Sequence, residues 1–313
     1  MKSSVKIAIV QAGPEYLDLS GSLEKMYKYI QEAAGAGAQL IVFGETWLCG
    51  YPAWLDYCPN IAVWDHEPTK EVYLKMLRSG VEVPGKTTQT IGDWAKQYKV
   101  TIMVGVNETV SSGKGNGTIF NSLLLFDNEG RLVNHHRKLM PTFTEKMLYG
   151  LGDEQGLKTV DTGFGEIGGL ICWEHWMPLT RQAMHNAGEI IHVAVWPCVF
   201  ERHQIASRHY AFEGRCFVIA AGQILKAGEL PEELELPDQF KNCPDHLLLN
   251  GGSCVIAPDG SYLMEPSFET DAVLYCEIKD LDWPYKERMT LDVTGHYQRE
   301  DLFEFKVKQT NYR

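Results

Sequence analysis

Glu45, Lys138 and Cys172 have side chains that can take part in catalysis, and each follows an apolar run that predicts a β-strand. In open α/β proteins, functional groups gather at the carboxyl ends of strands. A carboxylate in that position is a candidate general base, and a cysteine is a candidate nucleophile. These three residues are therefore the first candidates for an active site.

The sequence around Glu45 is rich in aromatic residues. Glu45 ends the segment Ile41–Glu45 and is followed closely by Trp47 and Tyr51. Burial among such side chains disfavours the charged carboxylate and raises its pKa toward the range of a general base. A glutamate exposed to solvent just beyond a strand is the ordinary alternative.

Lys138 belongs to the basic segment His136-Arg137-Lys138, which follows a predicted hairpin strand. A solvated basic turn is one interpretation of this segment. Glu145 follows seven residues later and could return to pair with Lys138.

Cys172 lies between the apolar run Ile167–Ile171 and the bulky segment Trp173–Pro178, which places its thiol on a tight turn near the start of a helix. Unpaired N–H groups and the helix dipole at such a place lower the pKa of a thiol from about 8.5 and can bind an oxyanion. A buried structural cysteine is the ordinary alternative. A Cys/His/Asp arrangement with His175 as the base is disfavoured, because a histidine three residues away cannot easily face the thiol.

The overall composition argues against several classes of partner. The 313-residue chain has a formal net charge of −12 and a pI of about 5.3, so its surface repels phosphate backbones and we expect no nucleic-acid partner. No apolar stretch reaches the ~18 residues of a membrane span, and no export signal is visible. We therefore expect no membrane partner and a cytoplasmic location.

The sequence also gives no sign of a metal or another cofactor. The eight cysteines are scattered without a Cys-x-x-Cys pair, which argues against a zinc cage or a disulfide framework. The histidines considered as metal ligands show no recognisable ligand spacing. They are His135, His136, His185, His192, His203 and His209.

Short apolar runs alternate with helical periodicity along the chain, which predicts a single α/β domain with a C-terminal extension. The predicted strands are Val5–Val10, Leu40–Phe43, Val100–Val106, Leu123–Phe126, Leu132–His136, Ile167–Ile171, Ile190–Val195, Phe217–Ala221, Cys254–Ala257 and Val273–Ile278. The acidic stretch Lys226–Asn250 contains three prolines and predicts an irregular insertion. Phe303, Phe305 and Val307 alternate with polar residues and predict a strand that needs a partner.

In this order and context, Glu45, Lys138 and Cys172 resemble the Glu–Lys–Cys triad of the nitrilase superfamily of carbon–nitrogen hydrolases. The resemblance runs from Val5 to about Phe303 and is strongest to the true nitrilases. The segments that carry it are His136-Arg-Lys-Leu-Met-Pro-Thr142, Cys172-Trp-Glu-His-Trp-Met-Pro178, Gly251-Gly-Ser-Cys-Val-Ile-Ala-Pro-Asp-Gly260 and Gly295-His-Tyr-Gln-Arg-Glu-Asp301.

Two departures from the family pattern lie beside these segments. Phe143 stands where family nitrilases often carry a histidine, and Glu154 stands where they often carry a glycine. Both differences bear on the substrate more than on the chemistry.

The resemblance implies a fold and an assembly. The fold is an α-β-β-α sandwich, in which two mixed sheets are flanked by helices. The catalytic domain spans residues 1–284, and the extension 285–313 contacts other subunits. A homodimer is expected, because the family packs the helix layers of two subunits together, and many true nitrilases extend further into spirals.

The resemblance also implies hydrolysis of an organic nitrile to a carboxylic acid and ammonia, without a cofactor. Glu45 is the expected general base, and Cys172 is the expected nucleophile, forming a thioimidate and then a thioester. Lys138 and the Trp173 backbone N–H would stabilise the negative nitrogen. Glu145 resembles the second glutamate of the family's site, which holds the lysine charged and oriented.

Aromatic side chains near these segments are expected to line the substrate pocket, although several of the tryptophans should simply fill the core. An aromatic pocket favours an apolar or aryl group on the nitrile. The predicted substrate-binding residues are Trp47, Tyr51, Trp54, Trp173, His175 and Trp196.

Other functions remain compatible with the same residues. An amidase or N-carbamoyl amide hydrolase shares the triad, and cyanide hydratases and dihydratases look similar. The alternative from another class is a non-catalytic assembly protein of the same fold, although an intact triad speaks against it.

Overall fold

The computed structural model describes residues 3–309, which form two β-sheets with helices outside them. Within this range the strands are β1 (Val5–Val10), β2 (Leu40–Phe43), β3 (Thr101–Thr109), β4 (Ile119–Phe126), β5 (Leu132–Arg137), β6 (Val160–Asp161), β7 (Glu166–Ile171), β8 (Ile191–Val195), β9 (Phe217–Ala221), β10 (Ile224–Lys226), β11 (Leu247–Ile256), β12 (Tyr262–Phe268) and β13 (Val273–Ile278). The α-helices in the same range are α1 (Leu19–Gly35), α2 (Trp54–Tyr57), α3 (Glu67–Ser79), α4 (Lys86–Tyr98), α5 (Pro178–Asn186), α6 (Glu201–Gly214), α7 (Asp238–Lys241) and α8 (Trp283–Glu287). Short 3₁₀ turns lie at Phe143–Met147, Glu154–Gly156, Cys172–Trp176 and Ala227–Glu229.

Both sheets are mixed. The first has the strand order β13-β1-β2-β3-β4-β5, with β1, β2 and β3 parallel and the remaining pairs antiparallel. The second has the order β10-β11-β9-β8-β7-β6, with β12 paired to β11 and with β7, β8 and β9 parallel. Parallel neighbours need a crossover connection, and α1, α5 and α6 provide three of them.

The alternation of side chains along each strand builds the layers. Ile7 and Ile9 of β1 face the second sheet and share one core with its strands, whereas Ala8 and Val10 pack with Met26 of α1. The opposite sheet behaves in the same way. A Cβ atom on Gly169 would meet Leu123 of the first sheet, and one on Gly168 would meet Met184 of α5. The predicted α-β-β-α sandwich is therefore confirmed.

The structure corrects several local predictions. Helix α3 and strand β12 were not predicted, because α3 buries only Val72, Met76 and Ser79 and β12 is an edge strand that contains Pro266. The predicted insertion at Lys226–Asn250 is shorter, since its two ends belong to β10 and β11. Residues 303–309 form no strand within the part of the chain that is described.

The predicted boundary of the C-terminal extension falls inside a short helix. Helix α8 spans the predicted boundary between residues 284 and 285, so that boundary stays a prediction. Large apolar side chains beyond it are exposed, among them Met289 and Phe303. Within residues 3–309, no helix is both long enough and apolar enough to cross a membrane.

Candidate active site

The ends of three strands bring Glu45, Lys138 and Cys172 to one place between the sheets. Glu45 follows β2 and Lys138 follows β5 in the first sheet, while Cys172 follows β7 in the second. All three are buried, and the Lys138 Nζ atom donates to Glu45 Oε1 at 2.8 Å. The charges of Glu45 and Lys138 both act on the Cys172 thiol, which links all three electrostatically. The site predicted from strand ends is therefore assembled.

Lys138 is held between two carboxylates. Besides Glu45, its ammonium donates to Glu145 Oε2 at 2.7 Å and to Glu145 Oε1 at 3.0 Å. Burial alone would lower the pKa of Lys138, but its electrostatic interactions with the Cys172 sulfur and with the Glu45 and Glu145 carboxyl groups outweigh burial and hold that pKa well above its usual value. Lys138 is therefore a buried cation at neutral pH.

Further donors keep Glu145 in place. Its Oε1 atom accepts from the Tyr51 hydroxyl at 2.9 Å, and its Oε2 atom accepts from the Thr142 backbone N–H at 2.8 Å. With Lys138, these donors satisfy a carboxylate that is almost completely buried. The pairing of Glu145 with Lys138 that the sequence allowed is present.

Glu45 is a buried carboxylate with one oxygen left over. Its Oε1 atom accepts from Lys138 and from Asn121 Nδ2 at 2.7 Å, while Oε2 has no hydrogen-bond partner among residues 3–309. Burial raises the pKa of Glu45 to about 7, against the opposing effect of the Lys138 charge. Gln223 steadies the backbone by donating to the Glu45 carbonyl oxygen at 2.7 Å. A carboxyl with this pKa and an unoccupied oxygen can accept a proton near neutral pH.

Cys172 occupies the tight turn that the sequence predicted, with a left-handed φ of +53° that non-glycine residues rarely adopt. The Trp173 backbone N–H is close enough to its sulfur to act on the pKa of the thiol. The expected lowering of the thiol pKa is wrong. Burial, followed by the negative charge of Glu45, raises the pKa of Cys172 well above its usual value, although Lys138 and the Trp173 N–H oppose that rise. The resting nucleophile is therefore a neutral thiol that needs a base.

His175 does not serve as that base. Its Nδ1 atom lies 2.6 Å from the Cys172 carbonyl oxygen, and its Nε2 atom lies 2.9 Å from His192 Nε2. Both ring nitrogens are therefore engaged with atoms other than the thiol. Burial also lowers the pKa of His175 well below its usual value. The Cys/His/Asp arrangement is excluded by this geometry.

A cavity of about 260 Å³ opens over Cys172 and Glu145, whereas Glu45 and Lys138 lie behind its wall. Cys172 and Glu145 line it together with Tyr51 and Trp173, so two of the predicted substrate-binding residues reach the cavity. Phe143, which stands at one of the departures from the family pattern, also lines it. The rest of the wall mixes apolar and aromatic side chains with polar ones, including the charged Asp56 and Arg202, so it suits an organic substrate that carries both apolar and polar groups.

Four predicted substrate-binding residues lie elsewhere, and the structure corrects these predictions. Trp47 packs on Phe43 in the core, with its indole N–H donating to the Ala12 carbonyl oxygen at 2.7 Å. The other three are fully buried or nearly so and are absent from the cavity wall. They are Trp54, His175 and Trp196. Sequence proximity to a strand end does not show which way a large side chain points.

Several supporting residues were not predicted. Asn121 is a polar residue of β4, and Gln223 lies in the short link between β9 and β10; only their contacts with Glu45 give them a role. Glu174 contacts both His136 and the backbone at the end of β5. A buried polar residue in an apolar strand was the available signal, because such groups need partners. Within residues 3–309, no group of three or more His, Cys, Asp or Glu side chains could hold a metal ion.

Comparisons with known proteins agree with this architecture. A family model described as carbon-nitrogen hydrolase matches residues 6–282. An aliphatic nitrilase of Sinorhizobium fredii (strain HH103) is 34% identical over 307 residues, which cover 97% of this chain and 96% of the relative. The bifunctional nitrilase/nitrile hydratase NIT4B of Nicotiana tabacum is 33% identical over 307 residues, which cover 97% of this chain and 86% of the relative.

Solved structures show the same fold. The crystal structure of the C. elegans NitFhit protein matches with a TM-score of 0.72 at 17% identity, covering 98% of this chain and 68% of that one. At this level of identity the likeness concerns the fold alone. Since the family model spans most of the chain and relatives above 30% identity cover nearly all of it, the chain belongs to the carbon-nitrogen hydrolase family.

Proposed function

We propose that this protein is a nitrilase, which converts an organic nitrile and two water molecules into a carboxylic acid and ammonia. The observation that carries the proposal is the Glu45 carboxyl, with a pKa of about 7 and an oxygen without a partner among residues 3–309, in a site it shares with a neutral thiol. The names of the relatives favour a nitrile over an amide, because they are nitrilases or nitrilase/nitrile hydratases.

The first half of the reaction forms a covalent bond to the enzyme. Glu45 takes the proton of the Cys172 thiol, and the thiolate attacks the nitrile carbon as the carbon–nitrogen triple bond loses one bond. The Lys138 ammonium and the Trp173 backbone N–H stabilise the nitrogen as it becomes negative, and the nitrogen then takes the proton that Glu45 removed from the thiol, which restores the Glu45 carboxylate. The product of these steps is a thioimidate on Cys172.

The second half releases both products. Glu45 activates a water molecule that adds to the thioimidate carbon, and ammonia leaves to give a thioester. A second water molecule then cleaves the carbon–sulfur bond, which frees the carboxylic acid and restores the thiol. Glu145 keeps Lys138 charged and oriented throughout, because it binds the ammonium with both oxygens.

A substrate screen tests the proposal. Purified protein is incubated with aliphatic, aryl and arylacetic nitriles and with the matching amides, and ammonia is measured. Cys172→Ala should release none, whereas Cys254→Ala, which removes a buried thiol away from the cavity, should keep activity. Turnover of amides alone would assign the protein to the amidases, and turnover of neither class would contradict the proposal.

The C-terminal extension suggests an assembly of several subunits. Tyr285, Met289, Tyr297, Leu302 and Phe303 are all exposed apolar side chains on this part of the chain. We propose that they make contacts between subunits of a homodimer or a higher spiral oligomer, since exposed apolar surface of this extent favours association. Sedimentation of the full chain and of a variant that ends at residue 284 tests this proposal. The same number of subunits per particle in both proteins would contradict it.

We also propose a cytoplasmic location. All eight cysteines are free thiols, and most are buried, which suits a reducing compartment. Fractionation of the producing cell tests this proposal.

A further inference from the structure

A chain of buried polar side chains begins directly beneath the Cys172 turn. His175 Nδ1 lies 2.6 Å from the Cys172 carbonyl oxygen, and His175 Nε2 lies 2.9 Å from His192 Nε2. On its other side, His192 Nδ1 lies 2.7 Å from Glu189 Oε2. All three side chains are almost fully inaccessible, so every contact must be made by a real donor and a real acceptor.

The number of protons in this chain follows from its contacts. The Cys172 carbonyl oxygen can only accept, so His175 Nδ1 must carry a hydrogen. Glu189 accepts from the Tyr210 hydroxyl at its other oxygen and, as a carboxylate, can only accept, so His192 Nδ1 must also carry a hydrogen. The two Nε2 atoms face each other, and one further hydrogen must lie between them. Two neutral imidazoles have two ring hydrogens together, and this pair needs three.

The third hydrogen belongs to His192. His175 is neutral, because burial lowers its pKa well below the usual range. His192, by contrast, has the Glu189 carboxylate at one nitrogen and stacks on the Tyr210 ring, with centroids 3.9 Å apart. A carboxylate and the face of an aromatic ring both favour a cation.

We propose that His192 is held as an imidazolium by Glu189, and that it fixes the backbone of Cys172 through neutral His175. His192 Nε2–H donates to His175 Nε2, which commits the His175 hydrogen to Nδ1 and thus to the Cys172 carbonyl oxygen. That hydrogen bond holds the left-handed turn, whose φ of +53° is costly without support. His175, His192 and Glu189 are therefore positioning residues, and none of them touches the substrate cavity.

Other charged groups surround this chain and balance it. Glu189 Oε1 accepts from the Tyr210 hydroxyl at 2.5 Å, and His185 Nδ1 lies 3.2 Å from the same oxygen. His185 also contacts Glu213, which pairs with Arg181 toward the surface. Arg181 in turn donates to the His175 carbonyl oxygen at 3.2 Å. The His192 charge is thus countered locally by Glu189, Arg181 pairs with Glu213, and His185 lies between the two carboxylates.

Nuclear magnetic resonance on the wild-type full chain tests the proton count without any variant. In protein labelled with ¹⁵N-histidine, long-range ¹H–¹⁵N spectra near neutral pH distinguish imidazolium from the two neutral tautomers. We expect His192 with both nitrogens protonated and His175 as the Nδ1–H tautomer. A singly protonated His192 in the wild-type protein would overturn the proposal.

Two variants separate positioning from general stability. Glu189→Gln removes the counter-charge but preserves the shape, so His192 should lose its third hydrogen and kcat should fall about 10- to 100-fold with KM nearly unchanged. Tyr210→Phe removes one hydrogen bond to Glu189 and leaves the carboxylate, so His192 should stay doubly protonated and kcat should change little. If kcat instead falls in proportion to the loss in Tm for both variants, the role is structural only and the proposal fails.

The expected change in kcat rests on the proposed nitrilase function. A second measurement therefore follows the Cys172 thiol without any turnover. The rate at which iodoacetamide alkylates Cys172 reports the exposure and orientation of the thiol directly. We expect slower alkylation in Glu189→Gln than in the wild type and in Tyr210→Phe. An unchanged rate in Glu189→Gln would overturn this inference even if the protein hydrolyses nitriles, and a changed rate would support it even if no nitrile is a substrate.

Discussion

The Glu174 carboxylate links β7, which precedes Cys172, to β5, which precedes Lys138. Its two oxygens lie 2.8 and 3.1 Å from His136 Nε2 in β5. The same carboxylate accepts from the Ile171 backbone N–H at 2.7 Å and from the Leu139 backbone N–H at 2.8 Å. Ile171 precedes Cys172 and Leu139 follows Lys138. Glu174 therefore sets the distance between two catalytic candidates that belong to different sheets.

Glu174→Gln should weaken both the fold and the catalysis. The amide keeps the shape but cannot accept at both ends, so a buried donor loses its partner, and the free energy of unfolding should fall by about 3 kcal/mol at neutral pH. Urea denaturation measures this fall, with exposed Glu300→Gln as the control.

The effect of Glu174 should depend on pH. Burial would raise the pKa of Glu174, but its contacts with His136, Leu139 and Ile171 outweigh burial and lower that pKa. Its stabilisation is therefore present above the unfolded-state pKa and is lost as the pH falls through the folded-state pKa, so the two proteins should converge in acid. Equal stability at neutral pH would contradict this role.

The pH dependence of kcat/KM should report Glu45. Only the ionised carboxylate can take the thiol proton, and burial raises the pKa of Glu45 to about 7, so kcat/KM should rise with pH through about 7. The thiol and the ammonium should not obscure this rise, because the pKa values of both Cys172 and Lys138 lie well above their usual ranges. A profile measured over about pH 5 to 9 that is flat around 7 would argue against Glu45 as the base.

Lys138→Met should abolish the chemical step and destabilise the fold near neutral pH. Without the ammonium, Glu45 and Glu145 remain as two adjacent buried carboxylates, which should cost about 3–5 kcal/mol of unfolding free energy. The loss of Lys138 also removes a charge that lowers the pKa of Glu45. In this variant the pKa of Glu45 should be higher in the folded than in the unfolded state. The stability that depends on Glu45 is then present at low pH and is lost as the pH rises through the folded-state pKa, so the variant should recover stability in acid. Exposed Lys114→Met is the control, and a change confined to KM would contradict the role of Lys138.

Trp173→Ala should raise KM for aryl nitriles more than for small aliphatic ones, because this ring lines the cavity and is about half exposed (47%). The loss of a large aromatic contact should change KM about tenfold. Trp176 is the matched control, since it packs edge-on against Trp173 at 5.4 Å but is absent from the cavity wall. If Trp176→Ala changes KM as much as Trp173→Ala does, the cavity does not hold the aryl group.

The strands and the triad candidates could be predicted because their signals are local. An apolar run of four to six residues followed by Glu45 or Cys172 is visible in the sequence, and so is the alternation of strands and helices that defines the layers. Helix α3 was missed because its local signal is weak: its apolar positions are few among charged residues. The alternating tail around Phe303 shows that periodicity alone does not make a strand without a neighbouring strand.

The electrostatics of the site could not be predicted, because they depend on contacts between distant segments. A turn at a helix start suggests a lowered thiol pKa, but Glu45 lies 127 residues before Cys172 and its charge acts in the opposite direction. The pairing of His192 with His175 and of Glu174 with His136 likewise joins separate elements. The tryptophans illustrate the same limit, since Trp47 and Trp173 both lie within two residues of a candidate residue but only Trp173 reaches the cavity.

The nucleophile is tested most directly by the mass of the intact protein during turnover. A slowly hydrolysed nitrile should add its acyl or imidoyl mass to the wild-type chain, and peptide mapping should locate the added mass on Cys172. Cys172→Ala should fold, bind the nitrile and gain no mass, while Cys254→Ala should behave as the wild type. An adduct on another cysteine, or ammonia released by Cys172→Ala at the wild-type rate, would contradict Cys172 as the nucleophile.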